Sequence, residues 1–122
     1  MNHIQKDNNT SVSFFKNEVQ KFVRDRNWTK FHTPKNLIQA LSIEVSELSE
    51  IFLFKDISLD TINNDKQLLE NISDEISDVF IYLVSLVNSM NLDLTSAFIK
   101  KMEKNKDKYS IEEFSDGSYQ KL

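Results

Sequence analysis

The apolar positions of this chain recur at helical spacing. From residue 12, Val12, Phe15, Val19, Phe22 and Val23 fall on one face at about 100° per residue, which predicts a first helix with Ser11 or Ser13 as N-cap, running to about Asn27. The segment RNWTKFHTPKN breaks it. Pro34 biases Thr33 away from helical dihedrals and suits the first turn of a second helix, expected over about Lys35 to Phe54. A polar connector, residues 55–66, has room for one helical turn and leads to a third helix over about Gln67 to Asn91. A fourth is expected from a cap at Asp93 or Thr95 to about Tyr109. Residues 1–10 and 110–122 lack this periodicity and read as tails on a helical domain of residues 11–109.

Two of these helices carry acids where the pattern demands hydrocarbon. In ALSIEVSELSEIFLF, the stripe of Leu37, Ala40, Leu41, Leu48 and Ile51 has Glu44 at its centre and Glu47 one turn on, at its edge. Ser42, Ser46, Ser49 and Gln39 occupy the other side, so moving Glu44 outward would bury the serines. The third helix repeats the anomaly: Leu68, Ile72, Val79, Tyr82, Leu83, Leu86 and Met90 form a stripe that contains Glu75, with Asp78 at its edge. Glu44-x-x-Glu47 and Glu75-x-x-Asp78 are therefore matching i, i+3 pairs on core-facing stripes.

A carboxylate facing a core has to be protonated, paired with a cation or given to a metal, because an isolated buried charge is too costly to keep. One such pair would be explained by a buried ion pair or a wet oligomer edge. Two matched pairs on helices expected to pack antiparallel bring four acids into one pocket, which favours a cation. The donors are all oxygen, with no neighbouring His or Cys, and that suits Mg2+ or Mn2+ better than zinc. Di-iron bundles require His at i+3, and neither Glu44 nor Glu75 has one.

Composition narrows the remaining choices. One Gly and one Pro in 122 residues starve a β fold of turn residues, so the chain is expected to be all-α, a bundle of about four main helices. At this length about two thirds of the unfolded surface can be buried. The net charge of −4 argues against binding a nucleic acid polymer. The absence of cysteine removes disulfides and zinc-thiolate sites. The longest apolar run, VFIYLVSLV, is too short to span a bilayer, and no signal-peptide layout opens the chain, so no membrane role and a cytoplasmic address are expected.

In the fourth helix Leu94, Phe98, Met102 and Tyr109 form the stripe, with Lys101 and Asn105 in or beside it and Lys108 at its margin. Such lysines ordinarily snorkel to water; beside a carboxylate-metal cluster they read as phosphate ligands. Ile76, Phe80, Val84 and Val87 give the third helix a second apolar face, which suggests a subunit interface. Trp28 reads as a lid over the core, and Tyr82 as a core residue whose hydroxyl still needs a partner.

The stretches FVRDRNWTKFHTPKNLIQAL, EVSELSEIFLF, EISDVFIYLVSL and KMEKNKDKYS resemble the all-α nucleoside triphosphate pyrophosphatases of the MazG-like superfamily, in particular the dCTP pyrophosphatase type, over residues 14–119. The resemblance implies hydrolysis of a nucleoside triphosphate to the monophosphate and pyrophosphate. It implies that Glu44, Glu47, Glu75 and Asp78 hold Mg2+, with Glu47 the candidate base. It places Lys101 and Asn105 on phosphates and sugar, and Trp28, Phe54 and Tyr82 around base or sugar, with His32 part of the shared motif. A homo-oligomer follows, a tetramer in preference to a dimer. The chain departs from the pattern at Phe54, where Trp is usual, at Val19, where His is usual, and at Ser110, where Pro is usual. Val19 cannot hydrogen-bond a base, so dCTP is expected to be favoured over other dNTPs by no more than about a hundredfold. The competing expectation is a silent helical module that binds nucleotides or a protein.

Overall fold

Every α-helix in the computed structural model, which describes residues 4–119, opens on a side chain that closes its first turn. The helices are α1 (Val12–Asp25), α2 (Pro34–Ile51), α3 (Leu59–Asn64), α4 (Lys66–Ser89), α5 (Leu94–Lys108) and α6 (Ile111–Phe114). Ser11, Thr33, Ser58, Asp65, Asp93 and Ser110 each accept a hydrogen bond from the backbone N–H three residues on. That contact satisfies a donor the helix itself leaves unpaired. Pro34 stands at the start of α2, where its missing N–H is harmless. Among the described residues there is no strand, and the chain is all-α as the sequence implies. The four long helices are the four expected ones. The connector holds α3, and 3-10 turns add Asp7–Asn9 and Thr29–Phe31.

Two compact units divide between Asn91 and Leu92. In the first, α2 and α4 form the most extensive contact, α1 lies against α4, and α3 packs on α4 as well. Leu37 of α2 and Val84 of α4 are the most deeply buried side chains, with Val23, Ile72 and Val87 around them. Phe15 of α1 meets Phe80 of α4 edge to face at 5.2 Å, and Asn88 of α4 donates through Nδ2 to the Lys16 carbonyl at 3.0 Å. The second apolar face of α4 is thus covered in part by α1 of the same chain, while Ile76 on that face remains exposed.

In the second unit, α5 turns at Tyr109 into α6, and the Tyr109 and Phe114 rings meet at 5.5 Å. Asn105 is half-buried and its carbonyl accepts from the Tyr109 N–H at 2.8 Å; Lys101 is exposed. Among the described residues no single helix is long and apolar enough to cross a membrane.

Candidate functional site

Because α2 and α4 pack along their acid-bearing stripes, the two carboxylate pairs meet. One carboxylate oxygen from each of Glu44, Glu75 and Asp78 lies within 4.8 Å of the others. Glu47 is exposed and stands beside Glu44 and Glu75, acting on both. Among the described residues neither Glu44 Oε2 nor Glu75 Oε2 has a hydrogen-bond partner, although both atoms are buried. Burial, followed by the Glu47, Asp78 and Glu75 carboxyls, pushes the Glu44 carboxyl up to about 7 from an ordinary 4.5. Burial, followed by Glu47 and Asp78, raises Glu75 as well. These acids are repelled by one another and have lost much of their water, which is the condition a multivalent cation relieves. Three converging oxygen donors, from residues two of which also carry a buried oxygen without a partner, fit a divalent metal ion.

The acids open onto a chamber of about 580 Å3 between α1 and α4. Glu44 and Asp78 stand at its acidic side, and Phe15, Val19, Phe22 and Ile81 supply apolar wall. Trp28 and Tyr82 both line it. Trp28 is 43% exposed and packs edge to face on Phe22, and the Arg26 guanidinium lies over the Phe22 ring at 3.6 Å. His32 lines the chamber too, and burial holds its imidazole below the ordinary pKa. An acidic corner joined to an aromatic-walled chamber can hold a cation-bound polyanion with an attached flat ring.

Glu44, Asp78, Trp28, His32 and Tyr82, each singled out from sequence, are therefore brought to one chamber, with Glu75 and Glu47 at its acid cluster. Phe54 is not among the residues that line it. It follows α2 with a φ of 57° and is 99% exposed. A left-handed backbone at an unbranched but bulky residue is uncommon and disfavoured. Lys101 and Asn105 belong to the second unit, on α5. The sequence reading missed Phe15, Phe22 and Ser85 as lining residues. Phe15 and Phe22 had shown only the periodicity of a core stripe, and Ser85 only an interruption in an apolar run.

Comparison with known proteins agrees with this geometry. The profile of the MazG-like family matches residues 39–121. The chain is 38% identical over 92 residues to dCTP pyrophosphatase 1 of Rattus norvegicus, a match covering 75% of this chain and 54% of that protein. It is 38% identical over 90 residues to dCTP pyrophosphatase 1 of Homo sapiens, covering 73% and 53%. The chain thus spans about half the length of the curated relatives it matches. Its fold superposes on the crystal structure of a pyrophosphatase from Archaeoglobus fulgidus with a TM-score of 0.72 and 34% identity, covering 90% of this chain and 98% of that one. With the paired acids of α2 and α4, the all-α fold and these matches together, the chain belongs to the MazG-like family.

Proposed function

We propose that this protein hydrolyses nucleoside triphosphates, dCTP or a related pyrimidine deoxynucleotide in particular, to the monophosphate and pyrophosphate, with Mg2+ as its cation. The observation that carries the reading is the pair of buried, unpartnered oxygens on Glu44 and Glu75, which meet Asp78 beside a chamber walled by Trp28 and Tyr82. The names of the relatives, dCTP pyrophosphatase and pyrophosphatase, support the same reaction class.

In this reading Glu44, Glu47, Glu75 and Asp78 hold the metal. Bound there, Mg2+ would withdraw charge from phosphate oxygens and favour departure of pyrophosphate, and Mn2+ offers the same chemistry. Glu47, the most accessible of the three glutamates, serves as the base that positions and deprotonates the attacking water. Trp28 and Tyr82 flank the base and sugar, while Lys101 and Asn105 of α5 carry the ammonium and amide donors suited to phosphates and sugar.

Phe54, exposed as it is in one chain, joins an aromatic wall only in an assembly, and we place it in the pocket of a neighbouring copy of a homotetramer. Exposed Ile43, Leu53, Leu69 and Ile76 supply apolar surface for such contacts. The setting is the cytoplasmic nucleotide pool. The test is pyrophosphate release from all common NTPs and dNTPs, with and without Mg2+. Release that requires the metal and is fastest with dCTP is expected; no release from any nucleotide would leave a binding module.

A further inference from the structure

Apart from the acids, the chamber wall has a buried polar side chain that makes no hydrogen bond to any described residue. Ser85 is 4% exposed and is the only polar residue among the buried described ones. Four other serines of α2 and α4 bond their own helix: Ser46, Ser73, Ser77 and Ser89 donate to carbonyls three or four residues back. No described residue hydrogen-bonds the Ser85 hydroxyl. That hydroxyl opens on the chamber, so an occupant that fills the chamber strips it of water, and one that hydrogen-bonds it is favoured over one that leaves it unpaired.

Its position on α4 gives that occupant an orientation. Asp78, Tyr82 and Ser85 are spaced i, i+4 and i+7, and all three line the chamber. From Asp78 to Ser85 the helix rises about 10 Å, the scale of a nucleoside from its 5′ oxygen to the far edge of its base. Ser85 also borders a smaller cleft of about 160 Å3, together with Val19, Val23 and His32, which line both spaces. His32, whose imidazole burial holds below its ordinary pKa, offers in its neutral form one N–H donor and one ring-nitrogen acceptor.

We propose that Ser85, assisted by His32, reads the hydrogen-bonding edge of the base and sets base preference at this site. This rests on the nucleotide reading above and deepens it. A cytosine edge presents an amino donor beside a ring-nitrogen acceptor, the complement of a hydroxyl oxygen and an imidazole N–H. The aromatic walls stack any base, whereas a buried group built to hydrogen-bond the right one penalises those that leave it unpaired. Selectivity that Val19 cannot supply from α1 is supplied here from α4.

Trp28 is the single tryptophan and lines the chamber, so its emission reports occupancy directly. The experiment titrates full-length protein in Mg2+ with α,β-imido analogues of the four dNTPs, in which a nitrogen bridge replaces the scissile oxygen. Wild type, Ser85→Ala and Ser73→Ala are compared; alanine is favourable in a helix, so the variants should fold, which circular dichroism checks. The dCTP analogue should bind wild type most tightly, and Ser85→Ala should weaken it about tenfold or more while shifting the poorest binder by less than about twofold. Ser73→Ala should change neither. Unchanged ratios among the four analogues in Ser85→Ala, or no analogue altering Trp28 emission, would overturn the proposal. Collapsed ratios in a protein that releases no pyrophosphate from any dNTP would leave base reading intact and remove the catalytic reading instead.

Discussion

Beyond the apolar Ile72 near its start, α4 sets acids against its neighbours in its earlier turns and hydrocarbon in its later ones. Its first half, the turns up to Asp78, brings Glu75 and Asp78 within 4.8 Å of Glu44, where two carboxylate oxygens lie buried without partners and the Glu44 and Glu75 carboxyls are pushed toward the neutral form. Its second half buries Val84 and Val87 and ties Asn88 to the Lys16 carbonyl. The first arrangement opposes folding and the second supports it. A continuous helix lets one offset the other: the apolar half and the cap at Asp65 hold the backbone that keeps the acids converged. The difference teaches that the acid cluster is not a packing solution, since the neighbouring turns show how the same helices pack when nothing else is required of them.

The largest effect should come from disarming the first half. Glu44→Gln is nearly isosteric and should lower kcat/KM for pyrophosphate release by about a hundredfold or more through loss of a metal ligand, with the fold intact. Glu75→Gln should behave alike, and the double variant should lose little beyond either single one, because the acids act as a unit. Wild-type turnover in Glu44→Gln would make that residue structural.

Breaking the apolar packing should reverse the pattern. Leu37 is 2% exposed, so Leu37→Ala should lower stability in urea by about 2–5 kcal/mol while leaving metal-dependent turnover in the folded fraction. If instead its activity falls as far as that of Glu44→Gln with little loss of stability, the division between the halves is wrong.

The pH dependence sharpens the comparison. Glu44 has its folded pKa raised to about 7 from an ordinary 4.5, so the stability associated with its neutral form is complete below about 4.5 and is lost as pH rises through about 7. Glu75 is shifted the same way. In EDTA the Tm should fall across that window. Mg2+ at a hundred times its Kd should stabilise the protein by about 2.7 kcal/mol and flatten the profile at the alkaline end. A Tm at pH 8 indifferent to millimolar Mg2+, with or without nucleotide, would count against a cation at the cluster.

The smallest expected effect concerns the cap that serves both halves. Asp65 accepts from the Leu68 N–H at 3.0 Å, and Asp65→Ala should cost about 1 kcal/mol in chemical denaturation without altering the Mg2+ response. A cap variant that also lost metal-dependent stabilisation would show that the first turn of α4 positions the acids.

The helices and the paired acids were legible because their causes are local. Capping joins residues three apart, and the stripe that exposes Glu44 and Glu75 as misplaced repeats within a few turns. Ser85 and Phe54 were not legible in the same way. Ser85 looked like an interruption in VFIYLVSLV until α1 folded against α4, and Phe54 looked like a pocket wall until it proved to stand outside its own chain's chamber.

By itself the sequence determined an all-α chain, the ends of its long helices, and two acid pairs with no apolar excuse, because backbone hydrogen bonds and helical period are settled within about four residues. Tertiary structure alone decided that Glu44, Glu75 and Asp78 converge within 4.8 Å and that Phe15, Trp28, Tyr82 and Ser85 enclose one chamber. The first depends on the packing of α2 against α4 and the second on that of α1 against α4, in which Asn88 bonds a residue 72 positions earlier, and no local pattern carries contacts of that range.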